Sequence, residues 1–167
     1  MCHIFAFRLW RCPVEFRFAT ESDAESIARV INAAFRVERF FIDRDRTAPD
    51  KIRAMLGAGK VLLAEESGRL AGCVYIERRG DRMYFGLLAV DPSLQKNGLG
   101  RKLIDRVENQ AREAGCHFVD IRVVDVRAEL PSFYRRLGYV ETGTELFVAD
   151  SVPKIPCHFI KMSKPLR

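Results

Sequence analysis

The sequence predicts an α/β fold: a mixed, mostly antiparallel sheet with a central parallel βαβ unit and flanking helices. Three strand-like segments joined by tight turns, all within 60–90, indicate an antiparallel meander. The next segment, 99–124, changes to a long amphipathic helix followed by another strand. A strand, helix and strand in succession are typical of a parallel pair. The length of 167 residues fits one compact domain.

The chain starts with an apolar segment, residues 1–13, which we expect to form an N-terminal arm or an extra strand ahead of a domain over 14–167. The first strand of that domain is predicted over Val14–Phe18, where apolar and polar side chains alternate. Thr20 and Asp23 then offer the side chains that start helices.

Two helices are predicted before the meander. The first has an apolar face at helical spacing, made of Ile27, Val30, Ile31 and Ala34. The charged and aromatic segment Arg39–Arg46 has no clear period and predicts a loop. Pro49 then opens a short helix that ends near Gly57 and Gly59.

The strands of the meander are predicted over Lys60–Glu65, Leu70–Glu77 and Met83–Val90. The third is nearly all apolar, as expected of a strand covered on both faces. The long helix after it ends at Gly115, and the next strand spans Phe118–Val124. A short helix and two closing strands complete the domain, over Leu130–Leu137, Tyr139–Phe147 and His158–Met162.

The net charge of +6 and the pI near 9.3 predict an anionic partner. We expect no nucleic acid, because aromatic and basic residues do not interleave on any one predicted strand. We expect no membrane span, because no apolar run approaches the roughly 20 residues needed. Lys96, Arg101 and Lys102 surround a glycine pair, where a small phosphate ligand would need them.

Five cysteines are scattered along the chain without a Cys-x-x-Cys pair, which suits a reducing cytoplasm better than a disulfide framework. Three of them adjoin a histidine, an arrangement that invites a metal-binding interpretation. Neighbouring residues of a strand point to opposite faces, however, so one such dipeptide cannot easily close on one ion. We therefore expect cytoplasmic localisation and no metal.

The most informative segment is Val90–Arg101, between an apolar strand and the amphipathic helix. The first N–H groups of a helix lack intrahelical partners and carry partial positive charge, so a pyrophosphate can bind there. Gly98 and Gly100 would let the backbone approach the phosphates closely. A Walker loop is excluded because no Gly-Lys-Ser/Thr follows, and a dinucleotide-binding loop because Leu103 occupies its third glycine position.

This segment resembles the GNAT superfamily of N-acetyltransferases, whose phosphate-binding motif is Q/R-x-x-G-x-G/A. The motif is matched by Gln95-Lys96-Asn97-Gly98-Leu99-Gly100. A second family hallmark is matched by Ser132-Phe133-Tyr134-Arg135-Arg136-Leu137-Gly138-Tyr139, and the resemblance runs from Val14 to the C-terminus.

The resemblance implies transfer of an acetyl group from acetyl-CoA to a primary amine of an unidentified small molecule or peptide, by direct attack of the neutral amine. It implies that Tyr134 protonates the departing thiolate, with a plain packing tyrosine as the alternative. It also implies that a strand bulge opens a gap for the cofactor, and that a backbone N–H there stabilises the oxyanion. The residues that would contact the cofactor are Leu88, Ala89, Val90, Gln95, Lys96, Asn97, Gly98, Leu99, Gly100 and Arg101.

Two departures from the family pattern leave questions open. Asp125 stands about where many relatives carry a cofactor-binding Asn, and Met83–Val90 lacks the carboxylate that some relatives use as general base. Deprotonation through water by Glu77, Tyr84 or Asp125 is one solution. The other is a non-catalytic, acyl-CoA-binding regulatory module.

Substrate selection in relatives often depends on two segments, here Arg36–Arg46 and Glu141–Pro156. The first contains arginines and an aromatic pair that could favour an acidic or aromatic amine. Solvated arginines over a partly buried aromatic pair are the alternative. Many relatives pair through terminal strands, so a homodimer is also expected.

Overall fold

A computed structural model describes residues 13–148 and 152–166 of the chain. The predicted N-terminal arm or extra strand, residues 1–13, lies outside this part except for Pro13. The division of the chain at residue 14 therefore stays a prediction.

Seven strands form one mixed sheet in the described part of the chain, in the order β1-β2-β3-β4-β5-β7-β6. Only β4 and β5 pair in parallel there, and every other neighbouring pair is antiparallel. This arrangement confirms the predicted fold class. The strands are β1 Glu15–Phe18, β2 Lys60–Glu66, β3 Arg69–Arg79, β4 Arg82–Val90, β5 Phe118–Val124, β6 Val140–Leu146 and β7 His158–Pro165.

Four α-helices cover the two faces of the sheet. α1 and α2 pack against one face, and α3 and α4 against the other. The predicted loop at 39–46 begins inside a 3-10 helix, Phe35–Phe40, that directly continues α1. The helices are α1 Ala24–Ala34, α2 Pro49–Ala58, α3 Leu99–Glu113 and α4 Glu129–Arg136.

Asp23 fixes the entry into α1. Its carboxylate accepts the backbone N–H of Thr20 at 2.8 Å and both terminal nitrogens of Arg17, at 2.8 and 2.9 Å. These bonds favour the charged form, so they hold the pKa of Asp23 well below its usual range. The capping chemistry predicted at Thr20 and Asp23 is confirmed.

The central strand β4 contains a bulge. Between the pairs Cys73–Ala89 and Tyr75–Gly86, β4 has one residue more than β3. Leu87 lies in this bulge with a φ of 49°, a left-handed conformation that branched side chains seldom adopt. The extra residue shifts the alternation, so that Tyr84 and Leu87 pack on the α1/α2 side of the sheet while Phe85 and Leu88 pack on the α3/α4 side.

The bulge coincides with a separation of the two parallel strands. β4 and β5 are paired only at Arg82–Phe118, Met83–Val119 and Tyr84–Asp120. Beyond Tyr84 the strands diverge, and the second half of β4 has no hydrogen-bonding partner on the β5 side. A gap therefore opens in the middle of the sheet.

Candidate active site

A cleft of about 910 Å³ occupies this gap. Its lining comes from both sides of the sheet: Leu99 and Tyr134 belong to the α3/α4 side, and Phe35 and Met55 to the α1/α2 side. The cleft therefore connects the two faces through the sheet. A sheet without the divergence of β4 and β5 would close this passage with ladder hydrogen bonds.

Most of the predicted site residues line this cleft. Two predicted cofactor residues do not. Ala89 is fully buried and pairs with Cys73 of β3, and Asn97 lines a separate, smaller cleft of about 210 Å³ together with Lys102. Those that line the main cleft are Leu88, Val90, Gln95, Lys96, Gly98, Leu99, Gly100, Arg101 and Tyr134.

The backbone of β4 offers a hydrogen-bond donor to the cleft. The Asp91 N–H donates to the Ala71 carbonyl of β3 at 2.8 Å. Since hydrogen bonding alternates along an antiparallel pair, the N–H of Val90 points away from β3 and into the gap. Leu88 lies inside the bulge, where pairing with β3 is interrupted.

The loop between β4 and α3 is held by its own side chains. The Asp91 carboxylate accepts the backbone N–H of Ser93 at 2.9 Å and its hydroxyl at 2.6 Å, which lowers the pKa of Asp91. The Gln95 side-chain amide donates to the Val90 carbonyl at 3.2 Å. Gly98 then starts α3 with a φ of 77°.

The start of α3 is open toward the cleft. A Cβ atom at Gly98 would meet nothing within 4 Å, and one at Gly100 would touch only the Val90 side chain, at 3.8 Å. The N–H groups of the first turn have no intrahelical partner and point out of the helix end. Lys96 lies exposed beside them, and Arg101 lines the cleft while its Nε donates to Asp105 at 2.8 Å. This geometry suits an anion such as a phosphate.

Tyr134 lies on α4 with its ring in the core and its hydroxyl toward the cleft. The ring packs edge-on against Phe133 and Tyr139, with centroids 5.0 and 5.6 Å apart. The side chain is 6% exposed, and burial raises its pKa well above the usual value. Within 13–148 and 152–166 the hydroxyl forms no hydrogen bond, so it can donate to a group bound in the cleft.

The family model described as "Acetyltransferase (GNAT) domain" matches residues 19–161, most of the chain. The chain belongs to the GNAT acetyltransferase family. A glucosamine 6-phosphate N-acetyltransferase described as probable, from Oryza sativa, is 33% identical over 57% of the chain. The match spans 63% of that relative, less than two thirds of its length.

Two further comparisons cover more of the GNAT chain. An L-methionine sulfoximine/L-methionine sulfone acetyltransferase from Salmonella typhimurium is 30% identical over 76% of the chain and 80% of its own length. The structure of yncA from Salmonella typhimurium, which contains its cofactor acetyl-CoA, superposes with a TM-score of 0.71 at 23% identity. That superposition covers 93% of this chain and 95% of the other, and it confirms the GNAT fold.

Glu77, Tyr84 and Asp125 are the candidates for deprotonating the amine through water, and the two carboxylates among them are engaged elsewhere. Asp125 accepts the backbone N–H of His158 at 2.9 Å, and its other oxygen lies 2.9 Å from the His158 ring. Glu77 forms two bonds to Arg79, at 2.9 and 3.0 Å, which lower its pKa. Neither carboxylate lines the cleft, whereas Tyr84 does, with its ring under the Arg79 guanidinium at 4.2 Å.

A carboxylate that the sequence analysis did not single out does line the cleft. Glu38, in the 3-10 helix after α1, is 7% exposed, and burial raises its pKa. The sequence carried a signal: Ile27, Ile31, Ala34 and Glu38 are spaced at helical intervals, so Glu38 continues the apolar face of α1 into the 3-10 helix.

Two other findings bear on possible partners of the GNAT domain. Within the described ranges no group of three or more His, Cys, Asp and Glu side chains is arranged to hold a metal ion. Among the helices of that same part, none has the length and apolar character to span a membrane.

Proposed function

We propose that this GNAT protein transfers an acetyl group from acetyl-CoA to a primary amine by direct attack. One observation carries the proposal: a single cleft passes through the sheet and joins the open helix start at Gly98 to the unbonded hydroxyl of Tyr134. The acetyl-CoA in the yncA structure, whose fold this chain shares, supports the same cofactor here.

The N-terminus of α3 would hold the pyrophosphate. Its free N–H groups and partial positive charge favour an anion, and Lys96 and Arg101 add positive charge at the same end. The pantetheine arm would then run along Leu88 and Val90 into the gap between β4 and β5. This path brings the thioester to the middle of the sheet.

The reaction itself needs two protein groups near the thioester. As the amine nitrogen bonds to the carbonyl carbon, negative charge develops on the carbonyl oxygen, and the inward-facing Val90 N–H is placed to stabilise it. When the carbon–sulfur bond breaks, Tyr134 gives its proton to the leaving thiolate. A thiolate in the same apolar cleft is also desolvated, which raises its proton affinity together with that of the phenol.

A primary amine is the acceptor that relatives support. The two curated relatives named above carry the names of a glucosamine 6-phosphate N-acetyltransferase and an L-methionine sulfoximine/L-methionine sulfone acetyltransferase. The open hydroxyl of Tyr134 favours this catalytic function over an acyl-CoA-binding regulatory module, because binding alone needs no proton donor.

Thermal unfolding with and without acetyl-CoA tests the cofactor site. Saturation at 100 times the dissociation constant should stabilise the fold by about 2.7 kcal/mol. For a domain of this size that is a rise in Tm of roughly 5 to 10 °C. We expect Gly98→Glu to abolish the shift, since it places a carboxylate in the open space that the phosphates would occupy.

Gly115→Glu is the matched control, because Gly115 also has a positive φ and open space around it but lies at the other end of α3. Gly115→Glu should keep the thermal shift.

Release of free coenzyme A thiol with a panel of primary amines then tests the reaction. A folded protein that shows no shift would overturn the proposal, and a shift without turnover on the panel would favour the regulatory module.

A further inference from the structure

The α1/α2 side of the cleft carries an arginine whose Nε has no hydrogen-bond partner. Arg46 lines the cleft beside the Phe35 ring, 5.4 Å from its centroid. Its Nε is buried and has no hydrogen-bond partner, and no carboxylate of the described ranges lies within 4 Å of its guanidinium. The other arginines around this end are paired with a carboxylate, as Arg79–Glu77, Arg122–Glu145 and Arg127–Glu129.

A buried donor without a partner is uncommon in native proteins, because its desolvation is costly when nothing replaces the lost water. The site therefore lacks an acceptor at Arg46. A guanidinium matches carboxylate and phosphate groups with two parallel hydrogen bonds, and in a water-poor cleft such bonds are strong. An anionic ligand would satisfy the group.

Glu38 lies at the same end and is held in place by its backbone. Its carbonyl oxygen accepts the N–H groups of Phe41 and Ile42, both at 3.0 Å. Its side chain has only one weak partner in the described part of the chain, a 3.5 Å contact from Arg127. The cleft thus presents one carboxylate with spare acceptor capacity and one arginine with an unpaired Nε, near enough for Arg46 to act on the pKa of Glu38.

Several charged or titratable groups face Glu38 from the elements packed around it. Arg46 acts from the loop before α2, and Arg127 and Glu129 act from the start of α4. Cys157, ahead of β7, also lies within electrostatic reach. Burial outweighs the two arginines and leaves the pKa of Glu38 raised, so this carboxylate takes up a proton more readily than an exposed one.

Resting on the proposed function, we propose that the acceptor is an amine that also carries an anionic group. Arg46 binds the anion, and Glu38 accepts a hydrogen bond from the neutral amine. As the nitrogen forms the new bond to the acetyl carbon, its surplus proton passes to Glu38; the carbon–sulfur bond then breaks, and the thiolate takes a proton from Tyr134. Solvent returns the proton from Glu38 to Tyr134, so one amine proton ends on the sulfur.

Pairs of amines that differ in one charged group test this substrate class. We would use L-phenylalanine against its amide for a carboxylate, and O-phosphoethanolamine against ethanolamine for a phosphate. Binding is measured calorimetrically to protein saturated with coenzyme A, so that no turnover is required. We expect the charged member of at least one pair to bind roughly ten- to a hundredfold more tightly, the worth of a charge-assisted hydrogen bond.

Arg46→Met should remove this preference, because it deletes the charge but keeps an apolar side chain against Phe35. Binding of the neutral members should hardly change. Arg39→Met is the matched control, since Arg39 is exposed, pairs with Asp45 and does not line the cleft. Equal or weaker binding of the charged member in both pairs would overturn the proposal, as would a preference that survives Arg46→Met.

Glu38→Gln tests the proton acceptor separately. The carboxylate form exists only above the raised pKa of Glu38, so the kcat of the wild type with the preferred amine should rise with pH through that value. In Glu38→Gln we expect kcat to fall about a hundredfold and to lose this rise. Glu25→Gln, an exposed carboxylate paired with Arg53, should keep both.

Unchanged kcat and pH dependence in a folded Glu38→Gln variant would contradict the assignment. The acetyl-CoA thermal shift separates this inference from the proposed function on which it rests. Loss of that shift in the wild type would be a failure of the proposed function, whereas a normal shift without preference for the charged amines would be a failure of this inference alone.

Discussion

Tyr134 combines a buried ring with an unbonded hydroxyl. The phenol lies among Phe85, Phe133 and Tyr139, and this desolvation raises its pKa above the usual value. A buried hydroxyl that forms no protein hydrogen bond contributes little to stability. The residue is therefore poorly explained by packing alone, because a phenylalanine would fill the same space without a polar atom to desolvate.

Tyr134→Phe should separate the two roles. We expect kcat to fall about a hundredfold, since a positioned general acid contributes roughly 10² to 10⁴ in rate. The free energy of unfolding should stay within about 0.5 kcal/mol of the wild type, because the ring packing is kept and no hydrogen bond is lost. Steady-state kinetics and urea unfolding measure the two quantities. Wild-type kcat, with chemistry shown to be rate-limiting, would assign Tyr134 to packing.

Cysteine chemistry offers no alternative route in the described part of the chain. Cys73 is fully buried, and burial raises its pKa to about 12. Cys157 is partly accessible, but burial and the nearby Asp125 and Glu38 raise its pKa as well. A thiol acts as a nucleophile only as its thiolate. Neither cysteine is therefore suited to form an acetyl-enzyme that would compete with direct attack by the amine.

The elements around the site are locked by a buried ion pair between α3 and β7. Glu108 of α3 is 4% exposed and accepts two bonds from Lys164 of β7, at 2.7 and 2.8 Å. The Tyr139 hydroxyl adds a third bond to the same carboxylate, at 3.1 Å. Because α3 begins at the cleft, this cluster also fixes the orientation of the helix start that we propose holds the pyrophosphate.

Lys164→Met should therefore be costly. The variant removes two of the three hydrogen bonds to a carboxylate that is 4% exposed, while the Arg112 guanidinium stays 3.9 Å from it, so we expect a cost of about 1 to 3 kcal/mol. We expect a loss of this size in urea unfolding, whereas Lys161→Met, an exposed position of the same strand, should change the free energy of unfolding by less than about 0.5 kcal/mol. Adding Glu108→Leu to Lys164→Met should recover much of the loss. A cost below 1 kcal/mol for the single variant would show that the pair is not desolvated.

The elements with a strong sequence period were predictable. The three strands of the meander, α3 and β5 lie where their apolar patterns place them, because each pattern is read within one element. The loop at 90–98 was equally predictable, since its glycines and its position before a helix are local features.

The features of the site that local sequence patterns do not predict depend on contacts between distant segments. The resemblance implied a strand bulge, which the structure confirms, but its position at Leu87 appears only in the register of β4 against β3. Asp125 pairs with His158, a residue of another strand. Ala89 pairs with β3 and does not line the cleft, so its expected contact with the cofactor stays a prediction. The sequence shows Glu38 as a charge on an apolar helix face, but only the fold shows that it lines the cleft.

At the scale of the whole molecule, the bulge and the divergence of β4 from β5 connect the two faces of the sheet. The helix N-terminus that suits a phosphate belongs to the α3/α4 side, whereas Arg46 lies against Phe35 on the α1/α2 side. Glu38 lies between that side and Arg127. Cofactor and acceptor would thus enter from opposite faces and meet in the gap. Neither has to leave before the other binds.

This arrangement predicts a sequential mechanism. Initial rates measured against acetyl-CoA at several fixed concentrations of the acceptor should give intersecting reciprocal lines, because both substrates occupy the cleft at once. Protein incubated with acetyl-CoA alone should gain no covalent acetyl group by mass spectrometry, since the described cysteines have raised pKa values or lie buried. Parallel lines together with a stable acetyl adduct would instead require a nucleophile on the enzyme. They would also leave the opening of the cleft on both faces of the sheet without a functional explanation.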